Sequence, residues 1–268
     1  MIFGQSNEPS KMKQYSLGVL REAGSTLEIT WDVHGHTMWD AWKGRGSFDV
    51  VERDDGFIDT FDGSSYLAEF DEWPEIERKA MGLVKGRVVD LGCGAGRVAL
   101  HLHLQRKGFD VVGLDISPLA LKVCRRRGLR KVKLGSVQDL RFPRNSFDTA
   151  ILFGNNFGLL GTRVKAKRVL RRLHQTISQG GLILAETFDP YDTEDPVHLA
   201  YHRLNRKRGR LPGQIRMRVR YKQYTTPWFD WLLVSKFEMK TLVQRTGFKV
   251  TGSLDSDGPR YIGILQNT

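Results

Sequence analysis

One decapeptide restricts this chain more than any other stretch: VVDLGCGAGR, Val88 to Arg97. A β-branched run ends in Asp90, passes into Gly92, Gly94 and Gly96, and continues into VALHLHL, which has helical character. Glycine at alternate positions lets the backbone turn sharply and approach a ligand closely, with the first N–H groups of the next helix unpaired and facing it. Nineteen residues after Gly96 a second apolar run ends in Asp115, where a carboxylate can accept hydrogen bonds from two ribose hydroxyls. From Arg87 onward short apolar runs alternate with helical patterns, the signature of a parallel sheet covered on both faces. Seven strands are predicted: Arg87 to Leu91, Asp110 to Leu114, Val132 to Gly135, Thr149 to Gly154, Gly181 to Glu186, Phe248 to Gly252 and Arg260 to Leu265.

Charge divides the chain. Residues 1–80 hold 16 acidic and 8 basic residues, whereas 81–268 hold 14 acidic and 34 basic, so the two parts repel different partners. Residues 1–80 read as a separate α+β cap. It has a helix from Ser10 to about Glu22, a strand-like LEITWDV at Leu27 to Val33, and a hairpin across Phe48 to Phe61 that turns at Asp55-Gly56. Pro74 opens a helix leading to Ala80 and Leu83. Between the fifth and sixth strands, residues 188–231 are too long for a tight connection and contain a strand-like QIRMRVRYKQY, so they read as a β-rich insertion. Two basic runs stand out. Lys122 to Lys133 has seven cations and Arg203 to Lys222 has nine, neither with an acid, and each is either a solvated face or a track for phosphates.

A dinucleotide oxidoreductase would need a third glycine where Arg97 stands, and reading the motif from Gly94 leaves Asp90 and Gly92 unexplained. The acid, then G-x-G-x-G, then a second acid at the next strand end resembles the class I S-adenosylmethionine-dependent methyltransferases. The stretch GSVQDLRFPRNSFDTAILFG, Gly135 to Gly154, extends that resemblance. It implies a doubly wound Rossmann-like α/β sheet of seven mostly parallel strands in the order 3-2-1-4-5-7-6, with the last antiparallel. It also implies S-adenosylmethionine as cofactor. Asp90, Leu91, Gly92, Cys93, Gly94 and Gly96 would hold its methionine part, Asp115 its ribose, and Ile116 the adenine face. Val137 with Ser136 and Gln138 would meet the adenine edge; the family often has Asp where Ser136 stands. Phe153 is read as a further donor contact, and Tyr66, by position, as a lid over the donor's carboxylate.

The acceptor belongs beside the donor, at the carboxyl ends of the fourth and fifth strands. There Asn155 and Asn156 can hydrogen-bond an acceptor or the donor's amino acid end, or serve only as turn and cap residues. No N-P-P-Y or D-P-P-F lies there, which disfavours transfer to base amines and glutamine. Neither Cys93 nor Cys124 is placed as a nucleophile for C5-pyrimidine transfer. Six tryptophans, Trp31, Trp39, Trp42, Trp73, Trp228 and Trp231, lie in the cap and insertion and could wall an apolar or aromatic acceptor, cage a cationic amine, or form the core of a small cap.

Asp32, His34 and His36 form D-x-H-x-H, which on a strand would turn both imidazoles to one face as metal ligands. No further ligand is identifiable, so no metal is expected. The expected function is methyl transfer to a small molecule. One alternative is an RNA or DNA methyltransferase tracking phosphates along Arg203 to Lys222, and another is a non-catalytic binding module. Without an apolar run after a basic start or a bilayer-length apolar segment, a cytoplasmic address with no membrane partner is expected.

Overall fold

A computed structural model describes residues 29–105 and 109–268. The helix read at Ser10 to Glu22 lies outside them. A 3-10 turn, Ile29–Trp31, leads into α1, Val33–Trp42, so the strand read through Val33 is not formed over its described part. Local β preference yields to a cap: the Asp32 carboxylate accepts from the Gly35 N–H at 3.1 Å and starts the helix. Strands β1, Phe48–Arg53, and β2, Ile58–Asp62, form the expected hairpin about Gly56, which has φ 91°. A 3-10 turn, Gly63–Leu67, and α2, Glu75–Ala80, complete the cap.

The remaining elements are β3, Arg87–Leu91; α3, Arg97–Leu100, continued by a π-helical turn; β4, Asp110–Asp115; α4, Pro118–Arg126; β5, Val132–Leu134; and β6, Phe147–Leu152. After them come α5, Arg163–Thr176; β7, Ile177–Phe188; α6, Pro196–Lys207; β8, Gln214–Tyr221; β9, Tyr224–Thr225; and β10, Phe229–Leu232. The chain ends with α7, Lys236–Val243, then β11, Phe248–Asp255, and β12, Arg260–Asn267.

Seven strands form one sheet in the order β5-β4-β3-β6-β7-β12-β11, which is the order 3-2-1-4-5-7-6. The first five pair in parallel and β12 is antiparallel to both neighbours. Helix α5 shows how the sequence covers it. Thr162 caps the N-terminus, and Ala166, Val169, Leu170 and Leu173, spaced 3, 4 and 7 residues from the first, are fully buried on one face. With α7 they cover one side of the sheet, while α2, α3 and α4 cover the other.

The acidic cap and the basic insertion build a second sheet together, in the order β10-β8-β1-β2, with β9 on β8. Glu52 of β1 pairs with Arg218 and Arg220 of β8 at 2.8 and 2.6 Å, and Asp54 pairs with Arg208 at 2.8 Å. Asp40 of α1 accepts from Tyr221 and pairs with Lys222 and Arg45. Partial burial alone would raise the Asp40 pKa, but Lys222, Tyr221 and Arg45 outweigh it and bring it to about 2. Because that lies below the ordinary 3.8, this contribution to stability is present above about pH 4 and is lost as pH falls toward 2. Asp40→Asn is therefore expected to lower the melting temperature by about 3 °C at pH 7 and by much less at pH 2.5, as thermal melts at both pH values would measure.

Candidate functional site

Gly92, Gly94 and Gly96 all adopt left-handed backbone, with φ of 74°, 53° and 85°. A side chain at Gly92 would need the left-handed region and would lie 2.7 Å from the Asn156 amide, so only glycine fits. The loop is stitched to β4 by the Gly92 and Cys93 N–H groups, which donate to the Leu114 carbonyl at 2.8 and 3.1 Å. Across it, the Asn156 amide donates to the carbonyls of Leu91 at 3.1 Å and Gly92 at 2.9 Å. Asn156, read as a contact to the acceptor or to the donor's amino acid end or as a turn residue, thus braces the glycine loop. Asn155 sits in left-handed conformation with its side-chain oxygen buried and unbonded. Trp231 of β10 presses on this loop, its ring filling the space where Gly158 lacks a side chain.

Asp115 lies at the carboxyl end of β4, half-buried. Its two oxygens accept from the Gly94 and Ser117 N–H groups, each at 2.8 Å. Burial raises its pKa against those two donors. Asp90 is buried beneath the loop and pushed up to about 7, chiefly by desolvation against the opposing Arg97 charge. Among the described residues, one of its oxygens has no hydrogen-bond partner. Ile116 is half-buried beside Asp115. Ser136 caps a short turn, its hydroxyl accepting from the Gln138 N–H at 3.0 Å, while Val137 is buried and the Gln138 amide donates to the Leu159 carbonyl at 2.6 Å. Phe153 is buried at the end of β6, and Cys93 and Cys124 are buried free thiols.

Beneath β6 and β7, Arg97 holds Glu77 of α2 through two hydrogen bonds of 2.6 and 3.0 Å, with its guanidinium 4.5 Å from the Trp73 ring centre. Glu77 meets Glu186, wholly buried at the end of β7, and both accept from the Gly154 N–H. Burial and then the Glu77 charge hold the Glu186 carboxyl well above the usual range, so it keeps its proton. Desolvation would also raise Glu77, but Arg97 reverses it and Glu77 is ionised. Glu77 carries no signal in the sequence, because its partners lie 20 and 109 residues away.

The cap covers the loop from above. Met38 of α1 reaches Gly94, and Asp32 also accepts from the Leu119 N–H at the start of α4. His34 and His36, two apart on a helix rather than a strand, face different ways: His34 bonds Asp49 at 2.9 Å, and His36 stacks on Tyr224 with ring centres 3.6 Å apart. That removes the geometry on which the metal reading depended. Among the described residues no cluster of three histidine, cysteine or acidic side chains could hold a metal. Tyr66 donates to Asp49 at 2.8 Å. Of the tryptophans, Trp39 and Trp42 lie under Lys122 and Arg126 of α4, and Trp228 lies beside Arg218. No described helix is long and apolar enough to cross a membrane.

A seven-stranded sheet of this order, with a glycine loop after its first strand and an acid closing the second, defines a Rossmann-like methyltransferase fold. A family model described as a methyltransferase domain matches residues 88–181. A Bacteroides fragilis methyltransferase crystallised with S-adenosyl-L-homocysteine is 25% identical, superimposes with a TM-score of 0.77, and covers 91% of this chain and 98% of its own. A carboxy-S-adenosyl-L-methionine synthase of Campylobacter hominis is 25% identical over 62% of this chain and 70% of its own. A demethylmenaquinone methyltransferase of Renibacterium salmoninarum is 35% identical over 45% of this chain and 52% of its own. The chain spans about half the length of several curated relatives it matches. The methyltransferase-domain match and the Bacteroides fragilis structural neighbour support a class I S-adenosylmethionine-dependent methyltransferase.

Proposed function

We propose that the protein transfers a methyl group from S-adenosylmethionine to a small-molecule acceptor held under the sheet shared by cap and insertion. The residues present fit the donor. Three left-handed glycines open a backbone cradle, Asp115 stands at its rim, and among the described residues Asn155 and Asp90 each keep a buried oxygen without a partner. When bound, S-adenosylmethionine supplies a methyl already activated on a sulfonium. The chain then has to align the acceptor and exclude water, which is work for shape rather than for a strong nucleophile. Asp90, Leu91 and the loop to Gly96, with Asp115, Ile116, Val137 and Phe153, are the residues assigned to the donor.

The observation that carries the small-molecule reading is the cap–insertion sheet. It sets Trp231 against the acceptor loop and consumes cations of Arg203 to Lys222 in pairs with Glu52, Asp54 and Asp40. A phosphate track needs those cations free. The test is calorimetric titration with S-adenosylmethionine and S-adenosylhomocysteine, followed by transfer assays on small aromatic acceptors and on RNA at 50 and 200 mM salt. Micromolar binding of both nucleosides, with salt-insensitive transfer to a small acceptor, is expected. Steeply salt-dependent transfer to RNA would reverse the assignment, and donor binding with no turnover would favour a non-catalytic module.

A further inference from the structure

The D-x-H-x-H segment, once helical, builds something other than a metal site. Asp49 of β1 is fully buried, and its carboxylate is surrounded by donors: Tyr66 Oη at 2.8 Å and the Thr37 hydroxyl, with the His34 Nδ1 at 2.9 Å. These partners come from α1 and the 3-10 turn Gly63–Leu67 and meet Asp49 on β1, so folding of the cap around β1 fixes them. A carboxylate on Nδ1 sets the imidazole's tautomer: Nδ1 carries the proton and donates it, leaving the lone pair on Nε2. Among the described residues that nitrogen has no hydrogen-bond partner, and the His34 side chain remains 38% exposed while Asp49 is 1% exposed.

Location gives the free nitrogen a purpose. The first turn of α1 is pressed against the donor loop. Gly35 sits so close to Ser117 that a side chain there would approach the Ser117 hydroxyl to 2.4 Å, and Met38, one turn beyond His34 on the same helix face, meets Gly94. The groups facing His34 are Asp49 on β1, Tyr66 on the 3-10 turn, Asp115 at the end of β4 and Asp32 at the start of α1. Burial alone would depress its pKa, but the Asp49 charge and hydrogen bond, then Asp115 and Asp32, raise it above the ordinary 6.5.

We propose that His34 is the general base of the donor cleft, with Asp49, Tyr66 and Thr37 as its positioning residues. The acceptor class this implies carries a proton on its nucleophilic atom: a hydroxyl, a thiol or an ammonium. This assignment rests on the methyltransferase reading. In the step, the acceptor's X–H bond gives its proton to Nε2, and an electron pair on X, which for an ammonium is the pair that this bond leaves behind, forms the bond to the methyl carbon. The carbon–sulfur pair stays on sulfur, leaving a neutral thioether and an imidazolium whose other N–H remains on Asp49. The positive charge thus moves from sulfonium to imidazolium, and no other reactant is needed. An acceptor that arrives without a proton, such as pyridine, would not use His34.

The experiment has three parts. Calorimetry with S-adenosylhomocysteine should give the same dissociation constant within about twofold for wild type and His34→Asn. Imidazole nitrogen NMR should report the Nδ1–H tautomer for His34 and a pKa above 6.5 that falls in Asp49→Asn. Formation of S-adenosylhomocysteine from S-adenosylmethionine should then be followed with phenol, thiophenol and benzylamine, and with pyridine as the proton-free control. With the proton-bearing probes the rate should rise with pH to a plateau, and His34→Asn should lower kcat about a hundredfold with little change in KM and abolish that rise. The proposal is overturned if wild type turns over none of the three proton-bearing probes, if His34→Asn matches wild type on them, if it weakens nucleoside binding tenfold, or if the other tautomer is found. Failure of wild type to bind S-adenosylhomocysteine would instead sink the methyltransferase reading.

Discussion

Asp115→Ala should weaken S-adenosylhomocysteine binding about a thousandfold, because two hydrogen bonds to one carboxylate are each worth roughly 1.5–3 kcal/mol. The side chain does two jobs. Without ligand, its oxygens tie the Gly94 and Ser117 N–H groups at 2.8 Å each, bracing the donor loop against the start of α4. In the proposed donor complex, the same carboxylate would be the rim acceptor for the ribose hydroxyls. Asp115→Asn keeps the size and one acceptor oxygen, so it can hold one of the two N–H groups but loses the other bond and the charge. It should lose about tenfold to a hundredfold in affinity, less than Asp115→Ala. Calorimetry on wild type and both variants, with circular dichroism to check folding, gives the comparison. Equal affinity in all three would remove Asp115 from the donor site.

Seven strands could be read from the sequence because each rests on local pattern, apolar runs such as Val88 to Leu91 being bounded by glycine and followed by helical spacing, whereas their order came from the family resemblance. Boundaries moved where pairing extends a strand. The fifth was read from Gly181 and begins at Ile177, pairing with Phe147 before the register shifts. The cap was harder. Leu27 to Val33 has β-branched and aromatic residues, yet Asp32 caps a helix whose stability comes from packing on α4, and packing is invisible to a local window. The same limit applies to charge. Acidic cap and basic insertion were visible as separate compositions, but that Glu52 meets Arg218, 166 residues on, depends on β1 pairing with β8. His34 and Asp49 were both legible as residues and not as a pair, because a hairpin and a turn must fold first.

Arg97→Met should cost about 3–5 kcal/mol, the scale for removing one partner of a buried ion pair, and lower the melting temperature by about 10 °C. Glu77 is 1% exposed and its charge is balanced by Arg97, with the Gly154 N–H and protonated Glu186 completing its shell. Removing the guanidinium leaves that charge buried; Arg97→Lys keeps the charge but loses the two-pronged geometry, so it should fall between. The pair also sets a pH dependence. Glu186 has a folded pKa raised above its ordinary 4.5, so its protonated form stabilises fully below about pH 4.5 and that stabilisation is lost as pH rises through the folded value. Glu186→Gln imitates the protonated acid and should flatten this decline, matching or exceeding wild type at pH 8. Asp90, raised to about 7, keeps a residual decline between about pH 4 and 7. Melts of wild type, Arg97→Met and Glu186→Gln from pH 5 to 9 test both statements; an unchanged slope in Glu186→Gln would mean that Glu186 is ionised. Because Arg97 follows Gly96 directly, its variant should also weaken S-adenosylhomocysteine binding at temperatures where the protein is still folded. The ion pair that holds α2 to the sheet is the one that fixes where the donor loop ends and α3 begins.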